Sequence, residues 1–416
     1  MPITLTINEQ RVVAQEGATI LEAARGAGIR IPTLCNHPDL TNVGACRMCV
    51  VTVEKARGLQ TACTTPVFEG MLVHTESPEA RETRRFVLEM LLSDHPNECM
   101  TCEVNGACEL QDLVYEYNVP WPEHDGLRHY YEVNPDPNPF VFIDRNKCIL
   151  CGRCVRACAE IQNRDVWAFA QRGFKSKLVA GADQNMLDAR CESCGQCVAY
   201  CPVGALYDKM SVGLGRATQV TKVRTTCSYC GVGCNFDLNV REGRIVRVTS
   251  APDAPVNGLK LCVKGRYGYD YVHHPDRLKK PLVRAKWLDP GQVEQRTESG
   301  EWRIAAERMG ESTDLNQPAA AGRRPRRSSA AGGGRQYSRH ETVVEVGFAG
   351  SPWVEVDWDT ALDVVAGKFA EIKRESGADA LAVLTSAKCT NEENYLVNKL
   401  ARQVLGTNSI DHCARL

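Results

Sequence analysis

The chain has 416 residues, 43% hydrophobic and 24% charged, an ordinary globular composition with length for roughly two to four domains. A net charge of −1 gives no global electrostatic case for nucleic-acid or acidic-membrane binding, and no run approaches the roughly 18 apolar residues of a spanning helix. The N-terminus, MPITLTINEQ, has neither the basic start nor the apolar core of a secretory signal, which predicts a cytoplasmic, reducing setting. There the outlying count of 21 cysteines points to metal and not to disulfides.

Ile3, Leu5 and Ile7 alternate as a strand, Asn8-Glu9-Gln10 turns the chain, and residues 11–15 return as a second strand. Thr19 and Glu22 form a capping box for a helix through Leu21, Ala23 and Ala24 that stops near Gly28. This is the opening of a β-grasp. Cys35, Cys46, Cys49 and Cys63 follow as C-x10-C-x2-C-x13-C, with Gly44 beside Cys46, where a missing side chain lets backbone N–H groups approach a bridging sulfide. The set predicts a 2Fe–2S cluster in a loop wider than that of plant-type ferredoxins, with zinc or unrelated buried thiols as the competing readings.

Ser77-Pro78-Glu79 starts a helix whose apolar face is drawn from Phe86, Met90, Leu91 and Leu92, and His95-Pro96 ends it. Cys99, Cys102 and Cys108 lack a fourth partner, and His95 is the nearest candidate upstream, against the plainer reading of a capping histidine. A neutral imidazole in place of an anionic thiolate raises cluster charge and potential.

Two C-x2-C-x2-C-x3-C runs come next: Cys148, Cys151, Cys154, Cys158, then Cys191, Cys194, Cys197, Cys201, the last followed by Pro202. This is the two-cluster ferredoxin signature, in which each run's fourth cysteine binds the other cluster. One 4Fe–4S cluster takes Cys148, Cys151, Cys154 and Cys201; the other takes Cys158, Cys191, Cys194 and Cys197. Zinc is the alternative for any CxxC pair, but zinc ribbons do not use two such tight quartets.

After a linker at 212–217, Cys227, Cys230 and Cys234 open a further unit, with strands at 235–240 and 244–249 around Glu242-Gly243 and Cys262 closing a fourth corner. Lys264 is either a plain surface lysine or a charge placed beside a ligand. Residues 288–350 fit no packed domain: 319–340 is almost all Ala, Gly, Arg, Ser and Pro, with Arg323, Arg324, Arg326 and Arg327 clustered. Three readings stand: a nucleic-acid or partner-binding arm, a disordered linker, or an out-of-frame stretch. From Val354 an α/β unit begins. Asp359-Thr360 caps a helix with Leu362, Val365, Phe369 and Ile372 inward, residues 381–384 form a buried strand, and Thr390 with Glu393 boxes a second helix. Cys389 reads as a buried structural thiol.

In its order of sites, residues 1–287 resemble the N-terminal electron-transfer half of molybdenum- or tungsten-dependent, NAD-linked formate dehydrogenase alpha subunits. CSYCGVGC at 227–234 and LCVKGR at 261–266 carry the most specific part of the match, which resumes after residue 352. The resemblance implies a multidomain α+β chain. Its parts are a 2Fe–2S β-grasp domain at 1–78, a His/Cys-ligated 4Fe–4S domain at 79–118 and a double 4Fe–4S ferredoxin domain at 138–209. A small β-rich 4Fe–4S domain of molybdopterin oxidoreductases follows at 220–276, a linker or out-of-frame stretch at 277–350, and the truncated start of an α/β domain at 351–416.

It further implies one 2Fe–2S and four 4Fe–4S clusters, Lys264 as an electron-transfer residue between the Cys227 cluster and a pterin, and bis-molybdopterin guanine dinucleotide with molybdenum or tungsten in the full-length enzyme. Formate would be the substrate, and a flavin/NAD-binding diaphorase subunit the partner. No G-x-G-x-x-G follows a predicted strand, so NAD would bind elsewhere. In the family the metal-binding cysteine or selenocysteine falls just past Leu416, so Cys413, four residues early, is a poor substitute. The expectation is a chain cut short, by UGA read as a stop or by an ordinary mutation, that passes electrons but oxidises no formate alone. The large electron-transfer subunit of NADH:quinone oxidoreductase resembles the first two sites, and iron-only hydrogenases the first three domains. A non-catalytic iron–sulfur adaptor is therefore the alternative function.

Overall fold

The computed structural model describes residues 2–120, 122, 127–288 and 353–413. They fall into two compact units, the first built on residues up to 275 with Ser386–Tyr395, the second on Asp276–Thr385 with residues 396–415. The Arg323–Arg327 run, most of the 288–350 stretch and the chain end at Leu416 lie outside the described residues.

The first unit opens as a β-grasp. Strand β1 (Pro2–Ile7) alternates, so Leu5 and Ile7 enter the core, and Asn8 and Glu9, at φ 48° and 69°, make the tight turn into antiparallel β2 (Gln10–Gln15). Helix α1 (Ile20–Gly26) starts at Thr19 with both arms of the expected capping box made. Strands β3 (Val50–Val53), β4 (Gln60–Thr61) and β5 (Leu72–His74) complete the sheet in the order β2-β1-β5-β3-β4, with β5 parallel to β1.

Helix α2 (Pro78–Asp94) starts where expected, with Ser77 Oγ accepting from the Ala80 N–H at 3.2 Å. Its buried face differs from the expected one. Ala80, Arg84 and Leu88, at helical spacing, turn inward, whereas Phe86 is 54% exposed and Met90 also faces outward. Buried polar contacts at Arg84, not hydrophobicity alone, fix this rotation. Leu88 joins Leu110 and Leu113 of α3 (Glu109–Glu116), Leu34 and Met48 of the β-grasp, and Val203 and Ala205 in one core.

In the ferredoxin segment, β6 (Val141–Ile143) pairs antiparallel with β9 (Leu206–Asp208), closing the fold end to end. Between them lie α4 (Arg153–Arg156), the hairpin β7 (Trp167–Ala170)–β8 (Lys177–Ala180), and α5 (Gln196–Tyr200). A three-stranded antiparallel sheet follows, β10 (Thr221–Thr226), β11 (Asn235–Arg241) and β12 (Arg244–Ser250), with α6 (Val263–Tyr267) after it. β10 is the strand the sequence pattern does not suggest, because TKVRTT carries few apolar residues.

In the second unit, β13 (Leu282–Arg284) pairs with β14 (Trp353–Glu355), and β15 (Val383–Thr385) runs parallel to β16 (Ile410–His412). Helix α7 (Trp358–Ser376) is capped by Asp357, whose carboxylate accepts from the Thr360 N–H at 2.7 Å, and not by Asp359. Leu362, Val365, Phe369 and Ile372, expected inward, are exposed, since no layer among the described residues covers this face. Of the strand expected at 381–384, Leu381 is buried but Leu384 is exposed. Helix α8 (Asn391–Lys399), whose first turns belong to the first unit, begins with the expected Thr390–Glu393 box.

Candidate iron–sulfur centres

No disulfide joins any of the 21 cysteines. Around the β-grasp loop, the N–H groups of Leu34 and Cys35 donate to Cys46 Sγ, and that of Cys46 donates to Cys35 Sγ, each at 3.4 Å. Cys49 and Cys63 hydrogen-bond as a second pair, and the charges of Cys35 and Cys46 act on Cys63. The hydrogen bond from Cys46 pushes the Cys35 thiol down to about 5 and, with burial, the Cys46 thiol up. Gly44, at φ +64°, brings its N–H to the Cys63 sulfur, and a Cβ there would sit 3.2 Å from Thr64 Cγ2. The loop therefore aims its N–H groups at cysteine sulfurs.

His95, at the end of α2, lines one small cavity with Cys99, Cys102 and Cys108, alongside Lys147 and Gly204. Burial pushes the imidazole down to about 4, which keeps it neutral with a lone pair for a metal. Its Nδ1 accepts from the Asn97 N–H at 3.2 Å, a contact that iron on either ring nitrogen would displace. Burial pushes the Cys108 thiol up to about 11, so a metal there would replace a held proton.

Cys148, Cys151, Cys154 and Cys201 line a single cavity with Phe169, Leu178 and Leu206. The fourth wall comes from the second cysteine run, while Cys158 turns away to the other group. There the charges of Cys194, Cys191 and Cys158 all act on Cys197. Val166 N–H donates to Cys158 Sγ and Ser193 N–H to Cys191 Sγ, both at 3.3 Å. The duplicated runs share a backbone: Leu150 and Gly152 stand at φ 50° and 70°, Ser193 and Gly195 at 55° and 73°. Positive φ at alternate residues makes a nest of inward N–H groups, an anion-binding concavity suited to a negative cluster.

In the fourth segment the charges of Cys227, Cys230 and Cys262 act on Cys234, and the Cys227 N–H bonds to the Cys234 carbonyl at 2.8 Å. Cys262 caps α6, and Lys264 stands exposed on its first turn. Cys389 is half-buried and not buried, and Cys413 is exposed. Five arginines to which the sequence assigned no role are buried in the first unit: Arg84, Arg153, Arg156, Arg247 and Arg266. Arg153 makes a two-pronged pair with Glu109 at 2.6 and 2.8 Å, joining α4 to α3. A buried arginine leaves no periodic signal, because in sequence it is indistinguishable from a surface one.

Family models match successive parts of the chain. They are a 2Fe–2S iron–sulfur cluster binding domain at 1–78, the NADH-ubiquinone oxidoreductase-G iron–sulfur binding region at 84–121, and the ferredoxin-like domain of NADH-quinone oxidoreductase subunit 3 at 138–207. The molybdopterin oxidoreductase Fe4S4 domain matches 220–274, and molybdopterin oxidoreductase matches 277–416. In chain order the matches run from iron–sulfur domains of the NADH-G type to segments of molybdopterin oxidoreductase. It is 32% identical over 414 residues to the alpha subunit of an NADPH-Fe(3+) oxidoreductase of Geobacter sulfurreducens, covering 100% of this chain and 40% of that protein. To a G-type NADH-quinone oxidoreductase subunit of Rhizobium meliloti it is 38% identical over 283 residues, 68% of this chain and 33% of that one. A Staphylococcus aureus protein called a formate dehydrogenase by name is 26% identical over 452 aligned positions, 99% of this chain and 39% of that one. The chain thus spans about 40% of the length of these relatives or less. A crystal structure of NAD+-reducing [NiFe]-hydrogenase matches 50% of this chain and 87% of its own at 35% identity and a TM-score of 0.45. No helix among the described residues is long and apolar enough to cross a membrane.

Proposed function

We propose that this chain is the iron–sulfur electron-transfer portion of a cytoplasmic formate dehydrogenase, carrying electrons between a molybdenum or tungsten site and a flavin/NAD-binding subunit. The observation that carries the reading is the convergence of Cys148, Cys151, Cys154 and Cys201 on one cavity, a crossing that the two-cluster ferredoxin pattern requires and chance spacing does not.

Cys35, Cys46, Cys49 and Cys63 would hold a 2Fe–2S cluster. His95 with Cys99, Cys102 and Cys108 would hold a 4Fe–4S cluster, as would Cys227 with Cys230, Cys234 and Cys262. The ferredoxin segment would hold two more, in the crossed sets. Such clusters supply one-electron storage at potentials between roughly −700 and +450 mV, tuned by ligand, hydrogen bonds and burial. The protein's part is to supply neutral His95, inward N–H groups and buried cations, and to exclude water. Lys264, next to the Cys262 corner, would bear on the pterin side.

Anaerobic iron and sulfide analysis tests this. Five clusters per chain are expected, and fewer than three would sink the proposal. An iron–sulfur adaptor serving another terminal enzyme is the second reading, favoured by the 38% identity to the NADH-quinone protein against 26% to the formate dehydrogenase by name. Pterin extraction from the native complex separates the two, since an adaptor yields none.

A further inference from the structure

Arg156 lies on α4 between two cysteines of the first ferredoxin run, and only 8% of its surface is exposed. Its guanidinium reaches out of its own domain. Nη2 donates to the Cys35 carbonyl at 2.6 Å and to the Cys151 carbonyl at 3.2 Å. Nη1 donates to the Thr41 carbonyl, and Nε to the Gly152 carbonyl at 3.3 Å. One nitrogen thus touches a ligand residue of the β-grasp group and a ligand residue of the ferredoxin group. The seam around it is packed, with Leu40 of the β-grasp loop against Ala157 and Tyr200, and the Tyr200 hydroxyl donating to Asp39 at 2.7 Å.

The charge at this seam needs an explanation. All of those hydrogen bonds go to carbonyl oxygens, and among the described residues no carboxylate pairs with Arg156. Glu160, one turn on, holds Thr41 instead, accepting from its N–H at 2.9 Å. A guanidinium keeps its charge at any working pH, and burying it without an anion is costly. With the ligand sets given above, two negative groups would lie on either side, because four thiolates and the bridging sulfides together outweigh the iron charge in both kinds of cluster.

We propose that Arg156 is the shared counter-cation of the 2Fe–2S group at Cys35 and the 4Fe–4S group at Cys151, raising both potentials together. This rests on the ligand sets given above. Adding an electron to either cluster adds negative charge beside the guanidinium, so the cation favours the reduced form of each. The step between them moves one electron, oxidising one cluster and reducing the other, with no proton and no bond made. Arg156 is a positioning residue: it holds the two ligand loops at fixed separation and biases both ends of the step.

The test is potentiometric paramagnetic resonance on the full chain, purified anaerobically with its clusters. Iron and sulfide are counted first: a wild-type chain lacking either cluster overturns the ligand reading, a failure distinct from failure of this inference. Arg156→Gln is expected to lower the reduced-to-oxidised ratio of both clusters about tenfold at fixed ambient potential, which is about 59 mV for a one-electron couple. The Cys227 cluster is expected to stay put. Arg156→Lys keeps the charge and is expected to hold both potentials near wild type. No shift, a shift of one cluster only, or a lysine variant falling as far as the glutamine one overturns the proposal. If Arg156→Gln does not load, the lysine variant decides alone: both potentials held supports a shared cation, and both fallen by the full tenfold refutes it.

Discussion

Arg84 donates to the Tyr117 hydroxyl at 2.9 Å, tying the middle of α2 to the end of α3 across the segment that carries His95 and its three cysteines. The same guanidinium donates to the Val50 carbonyl at 2.7 Å and the Thr75 carbonyl at 2.8 Å, and pairs with Glu76 at 2.7 Å. One fully buried cation therefore holds the β-grasp sheet and both helices. Arg84→Ala is expected to cost on the order of 3 kcal/mol, because it leaves the Tyr117 hydroxyl and two backbone carbonyls without their donor, while Glu76 is half-exposed. Denaturant unfolding under anaerobic conditions reads this directly, and an unmoved midpoint would count against the role.

His95 offers a sharper chemical test. His95→Cys exchanges a neutral ligand for an anionic one, so a 4Fe–4S cluster is expected to persist at lower potential. His95→Ala is expected to lose or convert that cluster and spare the others. An unchanged resonance spectrum in the alanine variant would end the assignment.

The crossed cavity predicts a pattern of non-additivity. Cys201→Ala and Cys148→Ala act on one wall, so the double variant is expected to lose one cluster's worth of iron. Cys201→Ala with Cys191→Ala is expected to lose two. The reverse pattern, two clusters lost in the first double and one in the second, would mean the runs bind locally, each with its own fourth cysteine.

Asp208, on β9, is buried, and burial pushes its carboxyl up to about 6 from an ordinary 3.8. The folded state binds this proton more tightly than the unfolded chain. The stability it contributes is present below about pH 4 and is lost as pH rises through 6, on the order of 3 kcal/mol for a shift of about two units. Oδ1 accepts from the Met210 N–H at 2.9 Å, whereas Oδ2 has no partner. Asp208→Asn keeps the first contact and is expected to flatten the stability profile between pH 4 and 6. A wild-type profile already flat across that window would refute the assignment.

Local chemistry was legible in the sequence. The Thr19–Glu22 and Thr390–Glu393 boxes, the Ser77 cap and the hairpin at Glu242-Gly243 each depend on residues within a few positions, and each is found in place. The cysteine spacings carried further, since His95 with its three cysteines, and Cys201 with the first run, do line common cavities. What failed depends on distant partners. Phe86 and Leu362 look like core residues by type, but which stripe of a helix is buried is decided by what packs on it. The parallel pairing of β5 with β1 joins residues as distant as Thr6 and Leu72, with no shared local signal. Buried Arg156 and Arg266 were invisible for the same reason: their partners are carbonyl oxygens, and every residue has one.

The pairing of β6 with β9, together with the cavity walled by Cys148 and Cys201, has a consequence in time. A chain leaving the ribosome exposes its β-grasp cysteines as a complete set early. At the moment Cys158 emerges, three cysteines of the first run stand ready with the wrong fourth one beside them. The correct wall arrives only with Cys201, just before β9 closes on β6. On the proposed ligand sets, metal offered too soon would find a local quartet, so filling of this segment is expected to follow the making of its second half.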